Sequence, residues 1–190
     1  MKKFLMSAMF MLIGISAWSQ EDSLIPFDYT ETDPQEFYKY EQNVLNCVDW
    51  LINTPIDEHT IDRQVISQFV LIWVQATPSV AINYDPKLLE FAQNIQHQEE
   101  VLMVYIGGYM AGLLREKEAQ GKLNQMTVVP KGTNKADRIT GATNAIESTL
   151  KFYELNKDVI GRNRTLERYK KMQKEGTLNE YIEANMDFSR

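Results

Sequence analysis

The two histidines of this sequence, His59 and His97, are the side chains best suited to act as a base or a metal ligand. Each stands close to carboxylates, with Glu58 before His59 and Glu99 and Glu100 shortly after His97. A zinc site usually needs three or four ligands at spacings such as His-Glu-x-x-His, and the sequence lacks that spacing. We therefore expect both histidines on the surface at helix ends. The alternative is an enzyme whose closed pocket brings His97 or Glu99 against a polar partner from another helix.

The sequence contains one cysteine, Cys47, which cannot form a disulfide within the chain. Cys47 lies at helical spacing from Tyr40, Val44 and Leu51, so the pattern predicts a small buried side chain on the apolar face of a helix. Two other interpretations remain open, a nucleophile and a disulfide with another chain. A nucleophile would need one of the two histidines as its base.

Motifs that bind cofactors or activate a nucleophile are absent from the sequence. There is no Gly-x-Ser-x-Gly elbow, Walker loop, dinucleotide fingerprint or EF-hand loop. Adjacent carboxylates occur at Asp57-Glu58 and Glu99-Glu100, but sequence neighbours point to different faces of a helix. We therefore predict no catalytic, cofactor-binding or metal-binding residue and no cofactor. The sequence favours a non-enzymatic protein over an enzyme.

The N-terminal residues have the three-part layout of a secretory signal peptide. A positive start, Met1–Lys3, precedes an apolar run, Phe4–Ile15, and Ala17 and Ser19 place small side chains before a cleavage point. The apolar run is shorter than the roughly 20 residues that span a bilayer. We predict a signal peptide over residues 1–19, with an uncleaved N-terminal anchor as the alternative.

The cleavage point carries no cysteine, so we expect no lipid anchor and a location in the periplasm or outside the cell. The whole chain has a net charge of −6. Removal of residues 1–19 takes away two lysines and no acid, which makes the charge more negative by two. Such a surface disfavours nucleic acid and anionic lipid as partners. The expected partner is an unknown protein, peptide or small ligand, with no membrane insertion after cleavage.

Apolar periodicity and end signals predict an all-α fold, an irregular bundle of about six or seven helices. We expect an extended mature N-terminus over residues 20–33 and a single helical domain over residues 34–190. Asp33-Pro34 starts the first helix and Thr54-Pro55 ends it. The other helices are predicted over residues 60–76, from 86, over 101–114, 135–158 and 165–174, and from a capping box at Thr177.

The helix over residues 60–76 is apolar on every side in its centre, Phe69–Val74, which predicts a helix buried all round at the middle of the bundle. A buried strand is the competing interpretation, because the run is β-branched and aromatic. Ile61 and Val65 extend the apolar spacing beyond the length of a typical strand, and this favours the helix.

Three glycines in one predicted helix, Gly107, Gly108 and Gly112, indicate close approach of a second helix or an aromatic ring, or else a groove beside a ligand. Residues 121–134 form the longest predicted loop, with a possible short edge strand over 126–129. Long loops in compact domains are often functional, so an exposed apolar groove is expected near this one. The aromatic residues should lie in the core, apart from a subset that could line a groove for a peptide or sugar.

Several segments resemble small exported helical proteins of Bacteroidota that have no assigned function. The resemblance rests on two Trp-x-x-x-Thr-Pro helix ends, on Tyr105–Met110 and on Lys174–Ile182. Asp22-Ser23-Leu24 also resembles the O-glycosylation acceptor motif of that phylum, at Ser23. These motifs carry packing rather than catalysis, so the resemblance implies no catalytic residue. The expected function is a non-enzymatic binding or protein-interaction role, with a periplasmic enzyme of unrecognised type or an envelope-stress chaperone as alternatives.

Overall fold

The computed structural model describes residues 24–93 and 95–188, and the regular secondary structure in these ranges is helical. The predicted signal peptide, residues 1–19, and Ser23 lie outside the described residues. Within them, the β-type pairing is one isolated parallel bridge between Val80 and Lys131. In chain order the elements are the 3₁₀ helix η1 (Pro34–Tyr40), α1 (Glu41–Asn53), α2 (Thr60–Ala76), the 3₁₀ helix η2 (Pro86–Ala92), α3 (Gln98–Ala119), α4 (Lys135–Leu155), α5 (Lys157–Ile160), α6 (Arg164–Glu175) and α7 (Leu178–Asn185).

The prediction of an all-α fold in one compact domain is confirmed. Local end signals set several boundaries, since the Asp33 side chain accepts a 2.9 Å hydrogen bond from the Gln35 amide and α2 ends directly before Thr77-Pro78. The predicted edge strand over residues 126–129 is wrong. Val128 and Val129 are exposed there instead, with no neighbouring strand to pair with.

The centre of the domain is the pair α3 and α4, which form the most extensive helix–helix contact. Small residues let the two backbones approach closely. A Cβ added to Gly108 would lie 2.6 Å from the Cβ of Ser148, and one added to Gly112 would lie 2.7 Å from the Cβ of Asn144. The prediction that this glycine stripe meets a second helix is therefore confirmed.

The prediction that α2 is buried all round at the middle of the bundle is wrong. One face, with Phe69, Val70 and Trp73, is fully buried against α1 and η1, and the Trp73 indole donates a 2.8 Å hydrogen bond to the Phe37 carbonyl. The opposite face is open to solvent, with Ile61 among the most exposed apolar side chains. The central place belongs to α3 instead, whose glycines allow α1 to pack closely at Gly107 and α4 at Gly108 and Gly112.

Two terminal segments differ from their predictions. Residues 24–33, part of the predicted extended N-terminus, form turns, in which the Glu31 amide donates a 3.0 Å hydrogen bond to the Asp28 carbonyl. Thr177 is no side-chain cap for α7, because it closes α6 instead. Its amide donates a 2.9 Å hydrogen bond to the Met172 carbonyl across Gly176, whose positive φ of 75° ends α6.

Core helices in this chain are long, and α3 has 22 residues. Among the described residues, however, none of the helices combines the length and the apolar character needed to cross a bilayer. The charged C-terminal turn of α3, Arg115–Glu118, interrupts its apolar run.

Candidate functional site

A groove of about 670 Å³ separates α2 from the first turns of α3. Both helices pack against α1, and the groove is the space that remains between them. It is open to solvent along α2, from Thr60 to Gln75. Its lining residues are Ile56, Thr60, Arg63, Gln64, Ser67, Gln68, Leu71, Ile72, Gln75, Glu99, Glu100 and Met103.

The two helices that flank the groove begin in the same way. His59 precedes α2 and His97 precedes α3, and both adopt the left-handed conformation, with φ of 51° and 54°. In each case Nδ1 faces the carboxylate three residues later, 3.4 Å from Asp62 and 4.0 Å from Glu100. The structure thus places both histidines at helix ends, as predicted, where they turn the chain into the walls of the groove.

Arg63 fixes the wall that α2 provides. Its buried guanidinium donates hydrogen bonds to the carbonyls of Leu51, Thr54 and Pro55, which closes the C-terminal end of α1. Burial lowers the pKa of the Arg63 guanidinium, and the nearby Glu100 carboxylate acts in the opposite direction. Arg63 is therefore a positioning residue that holds α1 and α2 together beside the groove.

The guanidinium of Arg63 also lies 5.5 Å from the ring centres of both Trp50 and Phe152. These rings belong to α1 and α4, so one side chain joins three helices at the base of the groove. The aromatic residues serve the core here. Among the described residues that line the groove there is no aromatic ring, so this groove does not have the aromatic lining considered above for a peptide or a sugar.

The lining combines three chemical types along its length. Ile56 and Met103 are buried and form an apolar base, which Ile72 extends. Exposed amides and hydroxyls follow along α2, and two carboxylates, Glu99 and Glu100, stand at the end formed by α3. Such a surface can hold a chain that has apolar side chains and many backbone hydrogen-bonding groups.

The loop over residues 121–134, where sequence reasoning placed an apolar groove, carries a smaller cavity of about 350 Å³. Met126, Val128 and Val129 are exposed beside it. The loop is held to the helices by its ends. Lys131 Nζ lies 3.1 Å from a Glu116 oxygen, and elsewhere the loop contacts the start of α1. The larger groove was missed because its walls come from two helices, and no motif in either of them indicates that they leave a space between them.

An ion pair between Glu41 and Lys117 anchors this loop, and sequence reasoning missed it. Both side chains are buried, and the second Glu41 oxygen accepts a 2.7 Å hydrogen bond from the Asn124 amide. The sequence does indicate that each residue could be buried. Glu41 lies three positions before Val44 on the buried side of α1, and Lys117 lies four positions after Leu113 on the buried side of α3. Only the fold shows that the two charges meet.

Cys47 lies in the core, as the apolar spacing predicts, and lines neither cavity. Its Sγ lies 3.4 Å from the Leu24 carbonyl oxygen, and burial raises the pKa of the thiol to about 12. In residues 24–93 and 95–188, no three His, Cys, Asp or Glu side chains are grouped so as to hold a metal ion. Of the residues singled out from the sequence, Glu99 and Glu100 line the groove, and His97 lies next to Glu100.

Comparisons with known proteins assign no family to this chain. No protein-family model matches it, and neither a curated protein sequence nor a solved structure is significantly similar to it. The geometry and chemistry of the α2–α3 groove are therefore the basis for assigning a function.

Proposed function

We propose that this protein is a non-enzymatic binding protein that acts in the periplasm or outside the cell and holds a polypeptide segment in the α2–α3 groove. The main support for this proposal is the groove itself. It is open, about 670 Å³ in volume, and combines an apolar base with exposed amides and a pair of carboxylates. Helix-in-groove recognition uses the same combination, with apolar anchors in the groove and polar groups at the rim.

The side chains along the groove favour a polypeptide over other ligands. Glutamine amides both donate and accept hydrogen bonds, as Gln64, Gln68 and Gln75 could do with a peptide backbone or polar side chains. Sugar sites commonly offer an aromatic face, and phosphate or nucleic-acid sites offer clustered Lys and Arg. The described lining has no aromatic ring, and its one cation, Arg63, is occupied by carbonyls of the α1 end.

An enzyme of unrecognised type is the alternative, and it would need His97 or Glu99 in a pocket closed to water. The α2–α3 groove is open instead. His97 faces Glu100 within its own helix, and the guanidinium of Arg63 is directed to carbonyls of α1 and the loop after it. This geometry favours binding, because the carboxylate that faces His97 belongs to the first turn of the helix that His97 precedes, at the edge of an open groove.

The proposed location outside the cytoplasm is supported by the layout of residues 1–19, with its positive start, apolar run and small residues before the cleavage point. The burial of the single thiol fits an oxidising compartment, since Cys47 is withdrawn from solvent and from other thiols. Cell fractionation of the full chain tests the location. We expect a shortened form outside the cytoplasm, and a full-length cytoplasmic form would contradict the proposal.

A photo-cross-linking experiment tests the function of the groove. A benzophenone amino acid is placed at Gln68, which is exposed on the groove side of α2, and, as a control, at Lys171 on α6. After irradiation of living cells that export the protein, we expect a covalent polypeptide adduct at Gln68 and none at Lys171. Leu71→Arg, which places a charge in the groove, should abolish the adduct.

Mass spectrometry then identifies the cross-linked segment, which is synthesised and titrated against the purified mature protein. Saturable binding that Leu71→Arg weakens at least tenfold would support the proposal. Equal adducts at Gln68 and Lys171, or an adduct that Leu71→Arg leaves unchanged, would contradict it. Loss of the adduct counts only if circular dichroism shows that the variant is folded.

A further inference from the structure

The exposed face of α2 is unusual for a helix at the surface of this protein. The whole sequence has 20 Lys and Arg and 26 Asp and Glu residues, yet the 13 positions from Gln64 to Ala76 include no charge. Surface helices normally carry charged residues on the side that faces water. Helix α6 of the same chain does so, with more than half of its residues charged. The exposed face of α2 therefore has the composition of an interface.

Uncharged side chains, three of them apolar and two of them glutamines, form a continuous stripe on this face. Ile61, Val65 and Leu71 are 75%, 47% and 37% exposed, and Ile72 is partly buried. Ile61, Val65, Gln68, Ile72 and Gln75 follow one another at spacings of three and four residues, which places them on one side of the helix. The stripe borders the α2–α3 groove along its full length. One helix thus provides both a wall of the groove and an amphipathic surface of the kind that such a groove accepts.

We propose that the polypeptide in the groove is α2 of a second copy of this chain. The two copies pack α2 against α2 in antiparallel directions about a two-fold axis near Gln68, the midpoint of the helix, and each α2 lies in the groove of the other copy. Helices α2 and α3 of both copies then form a four-helix layer. This inference rests on the proposed function, a groove that holds a polypeptide segment, and identifies the segment.

Charge is the reason that a second copy is favoured over another protein. In a two-fold interface the same patch meets itself, so any net charge on the patch is opposed by a like charge. This chain has a net charge of −6, so two copies repel each other overall. The uncharged face of α2 avoids that repulsion. Glu99 and Glu100 stand at the end of the groove, where a polar rim can remain in water.

The size of the surface indicates a reversible dimer. A 17-residue α-helix is about 25 Å long and about 10 Å across, so covering half of its lateral surface buries about 400 Å². Two such helices and the α3 walls of both grooves bury about 1,000 Å² in total, near the lower bound for a specific interface. We therefore expect a dimer that dissociates on dilution.

Disulfide trapping tests the arrangement, because the natural Cys47 is buried and leaves the surface free of thiols among the described residues. Gln68→Cys places one thiol next to the proposed axis, and Lys171→Cys on the exposed side of α6 is the matched control. After mild oxidation of the mature protein, we expect most of Gln68→Cys as a dimer on a non-reducing gel. Lys171→Cys and the unmodified protein should stay monomeric. Equal trapping of both variants would overturn the inference.

Light scattering over a range of concentrations gives a second, label-free measurement. We expect the mass of the mature protein to double with rising concentration, and Val65→Arg and Leu71→Arg to remain monomeric with unchanged helical circular dichroism. A monomer at all concentrations would overturn the inference. If the protein were monomeric but the Gln68 photo-cross-linker captured a different protein in cells, the proposed function would stand and only the dimer would be refuted. If the protein were monomeric and the Gln68 photo-cross-linker also captured no polypeptide, both the dimer and the proposed function would be refuted.

Discussion

Glu41 at the start of α1 and Lys117 near the end of α3 form an ion pair inside the protein, with 0% and 3% of their side chains exposed. Both partners also contact the long loop. Lys117 Nζ donates a 3.0 Å hydrogen bond to the Gln125 carbonyl, and Glu41 accepts one from the Asn124 amide. The pair therefore joins two helices and the loop after α3, and each charge has its hydrogen-bonding partners within the protein.

Removing one member of this pair should destabilise the protein strongly. Lys117→Met leaves the Glu41 carboxylate buried without its counter-charge, which typically costs about 3–5 kcal/mol. Denaturant unfolding of the mature protein measures the change. The control is Arg115→Met, which breaks the exposed pair with Asp49 and should cost at most about 1 kcal/mol.

A double variant shows how much of the loss in Lys117→Met comes from the unpaired, buried charge of Glu41. Glu41→Met combined with Lys117→Met leaves no buried charge, so it should be more stable than Lys117→Met alone. If Lys117→Met cost no more than Arg115→Met, the pair would not be buried in solution as it is in the structure.

The close contact of α3 with α4 gives a second prediction. In an unobstructed helix, replacing Gly108 by Ala would add about 1 kcal/mol of stability. Here the new Cβ would meet Ser148 Cβ at 2.6 Å and the Asn144 carbonyl oxygen at 3.0 Å, so we expect a loss of about 1–3 kcal/mol instead. Thermal unfolding of Gly108→Ala measures it.

The control for Gly108→Ala removes the obstructing atoms. Ser148→Gly takes away the Cβ and the hydroxyl that the new methyl group would meet. In a double-mutant cycle, Gly108→Ala should therefore be less costly in the Ser148→Gly background than in the natural one. Additive effects of the two changes would show that the helices are not in close contact at this point.

Local chemistry explains which parts of the fold could be predicted. Helix ends are encoded by a few adjacent residues, such as Asp33 before η1 and Gly176 after α6, so sequence reasoning placed them well. The glycine stripe of α3 likewise indicated a close neighbour. These features depend on backbone conformation and side-chain size, which are readable one segment at a time.

Features that depend on which helices meet could not be predicted. The apolar run of α2 indicates that the helix is buried, but it does not say whether other parts of this chain or a partner bury it. In the structure Ile61 remains exposed. Glu41 and Lys117 are 76 positions apart, and nothing in either segment identifies the other. The α2–α3 groove belongs to the same class, because its walls come from helices separated by η2.

Cys47 should be unreactive while the protein is folded. The thiolate is the reactive form, and burial raises the pKa of the Cys47 thiol to about 12. At pH 8 we expect iodoacetamide to label the native mature protein at least a hundredfold more slowly than the unfolded chain, as followed by mass spectrometry. Rapid labelling of the native protein would contradict the burial of Cys47 and reopen its interpretation as a nucleophile.

Alkaline pH should destabilise the fold, because buried groups keep their protons only in the native state. Burial raises the pKa of the Cys47 thiol from 9.0 and that of the Tyr109 phenol from 10.0, each to about 12. Above pH 9 the unfolded chain loses these protons first, so it binds fewer protons than the native state and stability falls as pH rises. Each group should cost about 1.4 kcal/mol per pH unit between its unfolded and folded pKa.

Thermal unfolding between pH 8 and pH 11 measures this loss, to which the buried Tyr105 and Tyr169 also contribute, and two variants test the parts due to Cys47 and Tyr109. Cys47→Ala should reduce the fall most between pH 9 and pH 10, because the thiol has the lowest of these pKa values in the unfolded chain. Tyr109→Phe keeps the ring that packs against Gly141 and should reduce the fall above pH 10. A stability that stays constant up to pH 11, or a slope that neither variant changes, would show that these side chains are already solvated in the native protein.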